Sequence, residues 1–368
     1  MKIFVTGTRG VPNIPGGVES HCQNLYPLIV KQGHQVKLSR RSSYAPNTIY
    51  EWSDIQLVDI FCPRKKSIEA IVHTLLSIIE AKKWGADIIH IHAIGPALMV
   101  PFARLLGLKV VMTNHGPDYD REKWGGFAKL ILRLGEKLGG TFSNEVIVIS
   151  NVIKSIVEDR CGRECHLIPN GVTAPEKSLS TSYLESLNIN PRGYILAVAR
   201  FVPEKGLIDL LKAYENSDLS CQLVIAGDSD HEDSYSREIK SIAAKNDNVI
   251  LTGYISGDPL HEVFSHANLF VLPSYHEGLP IALLEALSYG IKPLVSNIPA
   301  NLEVLLDDEC YFQCRDIDDL TKRLKTSWTI SPNTEWAVKS VDTVRKKYNW
   351  HNISEETVRV YKKALASE

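Results

Sequence analysis

Short strands rich in Val and Ile alternate with helical stretches along this chain, and the alternation runs twice. From the start the order is KIFVTG, a helix over Ser20 to Gln32, HQVKLS, a helix over Ile68 to Lys83, DIIHIH, a helix over Pro96 to Leu106, KVVMTNH, a helix over Phe127 to Leu138, EVIVIS and ECHLIPNGV. Strands that are apolar on both faces and separated by helices need a helical layer on each side, so the pattern predicts a parallel, doubly wound sheet. Periodicity lapses over residues 173–192, where Pro175, Pro191 and a Ser/Thr cluster read as a linker. It restarts with YILAVARF and continues through CQLVIAG, NVILTGYI, LFVLPS and KPLVSN, again with helices between. The tail from Thr334 reads as one or two amphipathic helices broken near Trp350. The expected class is α/β: a doubly wound domain over 1–172, a second over 193–350, and a last helix over 351–368 crossing back to the first. Two such domains bind a ligand in the crevice outside the carboxyl ends of their strands.

A chain of 368 residues exceeds one comfortable core, in agreement with two domains. Its most apolar stretch, Ala93 to Leu108, is cut by Pro96, Pro101 and Arg104 and is no membrane span. Met1 runs directly into a strand without a charged-then-apolar leader, which gives the expectation of a cytoplasmic chain. The seven cysteines are odd in number, and Cys161/Cys165 and Cys310/Cys314 each enclose three residues where zinc pairs usually enclose two. They read as reduced thiols, with no metal expected. Residues 1–172 hold 21 Lys and Arg against 15 Asp and Glu, and the remainder holds 20 against 28. Either the first half meets an anionic surface or acceptor, or the asymmetry is scatter in surface charge. A nucleic-acid partner is not expected.

The opening MKIFVTGTRGVPNIPGGVESH puts two glycine pairs after the first strand. A dinucleotide fingerprint would need a middle glycine that Gly7-Thr8-Arg9-Gly10 lacks, and an acid where the next strand ends in LSRRSS. Arg40 and Arg41 could meet the 2′-phosphate of NADP, so an NADP-dependent oxidoreductase stands as one alternative. Gly16 and Gly17 lie just ahead of a helix, where bare backbone N–H groups at the positive end of the dipole suit a phosphate. The competing reading is that they only permit a turn.

The second half carries the sharper pattern, LFVLPSYHEGLPIALLEALSYGIKPLVSN. Glu277 falls in the loop after a strand, Pro280 suits a first helical position, and the N–H groups of Gly278 and Leu279 open the helix for a phosphate. Glu285 lies further into that helix among Ala282, Leu283, Leu284, Ala286 and Leu287. A carboxylate in such company needs hydrogen-bond donors, which ribose hydroxyls supply. Upstream, ARFVPEKGL places Arg200 after a strand and Lys205 before a helix, two cations suited to a diphosphate.

Glu277 and Glu285 at this spacing, Arg200 and Lys205 in ARFVPEKG, Gly16-Gly17 followed by Glu19, IPNGV, and TGYIS ahead of LFVLPS resemble the family 4 glycosyltransferases, also called group 1, of the GT-B fold. The likeness spans nearly the whole chain and is strongest over 195–300; GTRGVPNIPGGVESH and NHGPDYDREKW are similar to a bacterial branch that builds surface polysaccharides such as O-antigen and capsule. The resemblance implies two Rossmann-like domains and a retaining transfer of a hexosyl or deoxyhexosyl group from a nucleoside-diphosphate sugar, which serves as co-substrate. It implies that Glu277 contacts the donor sugar, Glu285 the ribose, and Arg200 with Lys205 the diphosphate. The base would sit near Tyr254 and Ile255, and His115 would match the family's histidine at the reaction centre; as a residue alone, His115 reads equally as one satisfied within the fold. No cofactor or metal is expected, since the Asp118/Asp120, Asp228/Asp230 and Asp316/Asp318 strings are scattered away from these motifs. No flanking carboxylate pair of the retaining-hydrolase kind stands out, and the resemblance implies instead a front-face displacement assisted by the leaving phosphate. Asp118, Tyr119 and Asp120 are guesses for the acceptor side. The acceptor would be a saccharide or an undecaprenyl-diphosphate-linked acceptor.

Two basic amphipathic stretches, from Pro63 to Trp84 and from Arg121 to Leu138, read either as helices packed on the sheet or as peripheral contacts with an anionic inner membrane. A sugar-nucleotide epimerase and a non-catalytic nucleotide-sugar binding protein complete the alternatives.

Overall fold

A computed structural model describes residues 1–44, 49–63, 68–117, 119, 125–173, 175–229, 232–304, 306–329 and 334–367. The chain divides into two compact units: Met1–Gly171 with Tyr348–Glu368, and Val172–Lys347.

The first unit is built on β1 (Lys2–Thr6), α1 (Gly17–Lys31), β2 (Gln35–Arg41), β3 (Glu51–Trp52), β4 (Ile55–Ile60), α2 (Glu69–Trp84), β5 (Ile88–His92), a 3-10 turn over Pro96–Met99, α3 (Val100–Leu105), β6 (Lys109–Asn114), α4 (Gly126–Phe142), β7 (Glu145–Val148), α5 (Asn151–Cys161) and β8 (His166–Leu167). The sheet order is β3-β4-β2-β1-β5-β6-β7-β8, and every pairing is parallel except β3 with β4. Alternation along β1 sorts the core: Ile3 and Val5 pack with Leu25, Tyr26 and Ile29 of α1 on one face, Phe4 with Ile78 and Ala81 of α2 on the other.

The second unit holds α6 (Ser182–Ser186), β9 (Tyr194–Val198), a 3-10 turn over Pro203–Lys205, α7 (Leu207–Asn216), β10 (Gln222–Ala226), α8 (Ser234–Ala243), β11 (Val249–Gly253), α9 (Asp258–Ser265), β12 (Leu269–Leu272), α10 (Ile281–Ser288), β13 (Lys292–Ser296), α11 (Pro299–Leu302), β14 (Tyr311–Phe312), α12 (Ile317–Thr329) and α13 (Thr334–Lys347). Its six strands run β11-β10-β9-β12-β13-β14, all parallel. Ile195, Leu223, Val271 and Leu294 share a core with Leu207, Leu210 and Leu211 of α7 and Leu320 and Leu324 of α12.

The final helix, α14 (Trp350–Ala366), belongs to the first unit and packs on α1 and on β5 to β7. Asn349 starts it by accepting from the N–H groups of His351 (2.8 Å) and Asn352 (3.3 Å), a side-chain cap. Trp350 then covers Gly171, where an added Cβ would fall 2.4 Å from the indole.

Three details depart from the sequence pattern. Residues 173–192, expected as linker, carry α6, whose Leu184 is fully buried and whose first N–H groups bond Glu262 of α9. The expected helix over Pro96–Leu106 is a 3-10 turn followed by α3, because Pro101 lacks an N–H and opens a new helix at its first turn. β4 pairs with β2 without a helix between them, so strand-helix alternation does not announce it. All seven cysteines are free thiols, and no helix among the described residues is long and apolar enough to cross a membrane.

Candidate functional site

In the second sheet the chain leaves β9 toward β10 on one side, while β12 lies on the other, so β9 and β12 flank the point where strand order reverses. Loops leaving the carboxyl ends of such strands diverge and open a ligand site. Arg200 stands two residues past β9 and is half-buried. Lys205 closes the 3-10 turn that follows, and Glu277 lies five residues past β12. The structure brings the last two together: Lys205 Nζ donates to Glu277 Oε1 at 2.6 Å, and Ser274 Oγ donates to the same oxygen at 2.6 Å.

The juxtaposition depends on Gly206. Its φ is 63°, and a Cβ there would sit 2.1 Å from the carbonyl oxygen of Pro273, so only glycine lets the loop after β9 lie against the loop after β12. The N–H of Tyr275 then donates to the carbonyl of Glu204 at 2.8 Å, and Tyr275 Oη donates to Asp209 of α7 at 2.6 Å. Ser274, Asp209 and Tyr275 are site-building residues that the motif reading passed over. Only Ser274, three residues before Glu277, left a local trace.

Pro280 is the N-cap of α10, one position earlier than expected, since it is Ile281 that begins the helix. Among the described residues the N–H groups of Gly278 and Leu279 donate to nothing, which leaves two donors at the positive end of α10 for an anion. Glu285 is half-buried on this helix, and burial pushes its carboxyl up to about 7. Tyr254 is 61% exposed and Ile255 half-buried just beyond β11.

In the first unit α1 begins at Gly17 with Gly16, φ 146°, as N-cap. Glu19 turns back to accept from Thr8 Oγ1 (3.2 Å), the Arg9 N–H (2.9 Å) and Arg9 Nε (3.2 Å). That ion pair fills the space beside Gly16, where a Cβ would meet Glu19 Oε2 at 2.0 Å. A Cβ at Gly17 would meet nothing within 4 Å. Gly17 is the open member of the pair and Gly16 the packed one. His115 lies one residue past β6, half-buried, with its Nε2 3.0 Å from His92 Nδ1.

Several expectations are corrected. Arg40 is fully buried with Nε on Asp59 at 2.7 Å, and Arg41 bonds Glu69 at 3.1 Å. Both arginines hold the sheet to its neighbours, which removes the feature that suggested NADP. Tyr119 is 1% exposed, its hydroxyl bonds Glu136 at 3.2 Å and Arg160 at 2.5 Å, and Arg133 and Arg160 cover its ring. It anchors the loop after β6 and does not present itself to an acceptor. Asp118 and Asp120 lie outside the described residues. Of the other Asp-x-Asp strings, Asp228 pairs with Lys240 at 3.2 Å and Asp316 accepts from the Asp319 N–H at 2.9 Å at the start of α12; Asp230 also lies outside the described residues.

Two parallel, doubly wound units in tandem, each with polar residues gathered at the carboxyl ends of its strands, define the GT-B class. The comparisons place the chain within it. A model described as "Glycosyltransferase Family 4" matches residues 15–174, and one described as "Glycosyl transferases group 1" matches residues 182–331. The chain is a glycosyltransferase of this family 4, group 1 type. It is 26% identical to an uncharacterized glycosyltransferase of Methanocaldococcus jannaschii over 99% of each chain. It is also 26% identical to the UDP-Gal:alpha-D-GlcNAc-diphosphoundecaprenol alpha-1,3-galactosyltransferase of Escherichia coli, covering 88% of this chain and 87% of that one. Among solved structures, the sucrose-phosphate synthase of Thermosynechococcus elongatus superposes with a TM-score of 0.84 at 19% identity, over 100% of both chains.

Proposed function

We propose that this glycosyltransferase moves a hexosyl or deoxyhexosyl group, with retention and without a metal, from a nucleoside-diphosphate sugar to a lipid-linked saccharide in bacterial surface-polysaccharide synthesis. The observation that carries the reading is the Lys205–Glu277–Ser274 cluster at the switch point of the second sheet, beside the open N–H groups that start α10. Cations and a helix N-terminus there stabilise negative charge on a departing diphosphate. Lys205 and Ser274 both occupy Glu277 Oε1, which leaves Oε2 for the hydroxyls of the donor sugar. Arg200 and Lys205 take the diphosphate, Glu285 the ribose, and the segment at Tyr254 and Ile255 the base. His115 and the turn at Gly16 and Gly17 serve the donor from the first unit.

In the proposed step the anomeric C–O bond to phosphate breaks and the nucleoside diphosphate leaves with the electron pair. The acceptor hydroxyl attacks the same face of the sugar, and its proton passes to the leaving phosphate oxygen. The E. coli relative's name, with its UDP-linked donor and diphosphoundecaprenol acceptor, supports this substrate pair.

The first test is a metal-free thermal-shift screen against UDP, GDP, dTDP, their common sugars and NADP. One nucleoside diphosphate is expected to stabilise the chain, by about 2.7 kcal/mol at a hundredfold excess over Kd. A response to NADP alone would overturn the reading.

A lipid-linked acceptor calls for a membrane contact on the cytoplasmic face, and α4 is suited to it. The helix buries Gly135, Glu136, Gly139 and Gly140, while Phe127 is 78%, Leu130 63% and Leu134 43% exposed among Lys129, Arg133 and Lys137. Apolar insertion flanked by bases favours anionic lipid. The wild-type chain is expected to co-sediment with vesicles containing phosphatidylglycerol, and Phe127→Ser/Leu130→Ser to remain in the supernatant. Equal binding of both to neutral phosphatidylcholine vesicles would count against α4 as the docking face.

A further inference from the structure

Three histidines converge inside the first unit: His21 on α1, His92 at the end of β5 and His115 just past β6. Their ring centroids are separated by 5.0 Å (His21–His115), 5.2 Å (His92–His115) and 5.5 Å (His21–His92). One ring nitrogen from each falls in a group whose members all lie within 4.8 Å of one another. A tetrahedral ion about 2.1 Å from three imidazole nitrogens sets the ring centroids about 5 Å apart, the spacing these rings already have.

The surrounding hydrogen bonds orient the rings as metal sites require. His21 Nδ1 donates to Asn170 Oδ1 at 2.7 Å, which leaves the Nε2 lone pair to face inward. His92 Nε2 bonds Tyr26 Oη at 2.6 Å, Tyr26 bonds His90 Nδ1 at 2.9 Å, and His90 Nε2 bonds Thr113 at 2.7 Å; His92 Nδ1 faces His115 Nε2 and is hydrogen-bonded to it at 3.0 Å, a bond that an ion held by both rings would replace. Such outer partners fix tautomer and ring angle in histidine metal sites. Three imidazole nitrogens without a carboxylate select a borderline transition ion over Mg2+ or Ca2+. His21 and His92 are buried, and His115 is the half-buried member of the three.

We propose that His21, His92 and His115 form a Zn2+-class metal site, and that the bound ion inhibits transfer by holding His115 away from the donor sugar. The second clause rests on the role given to His115 above. The ion takes no part in the transfer, which Arg200 and Lys205 serve without it.

The test is a titration of tag-free, metal-stripped full chain with Co2+, followed by displacement with Zn2+. The wild type is expected to bind one equivalent with the intense visible bands of four-coordinate Co2+, lost in both His115→Ala and His21→Ala. His115 is half-buried where His21 is buried, so His115→Ala keeps the test valid if His21→Ala fails to fold by circular dichroism. No band in the wild type, or a band that survives in a folded His115→Ala, overturns the site whatever the transfer activity. A bound ion with undiminished transfer overturns the inhibition and, with it, the contact between His115 and the donor.

Discussion

Glu277→Ala is expected to lower kcat/KM for sugar transfer by about 10³-fold or more, which corresponds to about 4 kcal/mol of lost transition-state stabilisation. Two losses combine in the one substitution. The donor sugar loses its carboxylate acceptor, and Lys205 loses the partner that holds it 2.6 Å away. A lysine released from that pair is no longer preorganised to meet the charge that develops on the diphosphate. The effects of Glu277→Ala and Lys205→Ala should therefore be strongly non-additive, the double variant costing little more than the worse single one. Steady-state transfer rates with the donor identified by the thermal-shift screen decide the matter, alongside melting temperatures to confirm folding. A Glu277→Ala enzyme that transfers at the wild-type rate would sink the assignment.

Glu285→Gln is expected to do two opposite things at pH 8: stabilise the free protein by about 2–3 kcal/mol and weaken donor binding by about tenfold. Burial among Leu283, Leu284 and Leu287 raises this carboxyl from 4.5 to about 7 in the native state. A raised native pKa means that the folded chain binds the proton more tightly than the unfolded one. Stability is then fully present below about pH 4.5 and falls as pH rises to about 7, where the charged form must be kept out of water. Glutamine carries no charge to desolvate, so its advantage should be large at pH 8 and vanish by pH 4.5. Donor binding runs the other way, because ribose hydroxyls donate best to the ionised carboxylate, and wild-type affinity should rise between pH 6 and pH 8. Melting curves at pH 5 and pH 8, with calorimetric titration of the donor nucleotide, read both effects. Equal stability of wild type and Glu285→Gln at pH 8 would show that the carboxyl is not strained in the free enzyme.

The stability cost at Glu285 and the pairing at Glu277 mark different degrees of legibility. Glu285 could be read as a carboxylate in apolar company because its neighbours are its own helix, and helical spacing is local. The loop position of Glu277 was legible for the same reason. Its partner was not, since Lys205 lies 72 residues away and reaches it only where β9 and β12 become neighbours through the strand order. Arg40 and Arg41 show the converse error. Two arginines at a strand end read as a phosphate site until the parallel pairing of β2 with β4 brings Asp59 beside Arg40, with Glu69 of α2 on Arg41. Tyr119 was misread alike, for Glu136 and Arg160 come to it from α4 and α5.

The sequence by itself determined the strand-helix alternation, its repetition after residue 173, the order of the motifs and hence the GT-B class with its family. These are encoded in period, in turn chemistry and in runs of adjacent residues, all of which survive in one dimension. The tertiary structure alone decided which ionisable groups are spent on the fold and which are left for a ligand. It buried Arg40, set Lys205 against Glu277 and gathered His21, His92 and His115 from α1 and from the carboxyl ends of β5 and β6. The physical reason is that a parallel sheet places strand ends side by side in an order unrelated to their separation along the chain, so charge pairing there follows topology and not spacing.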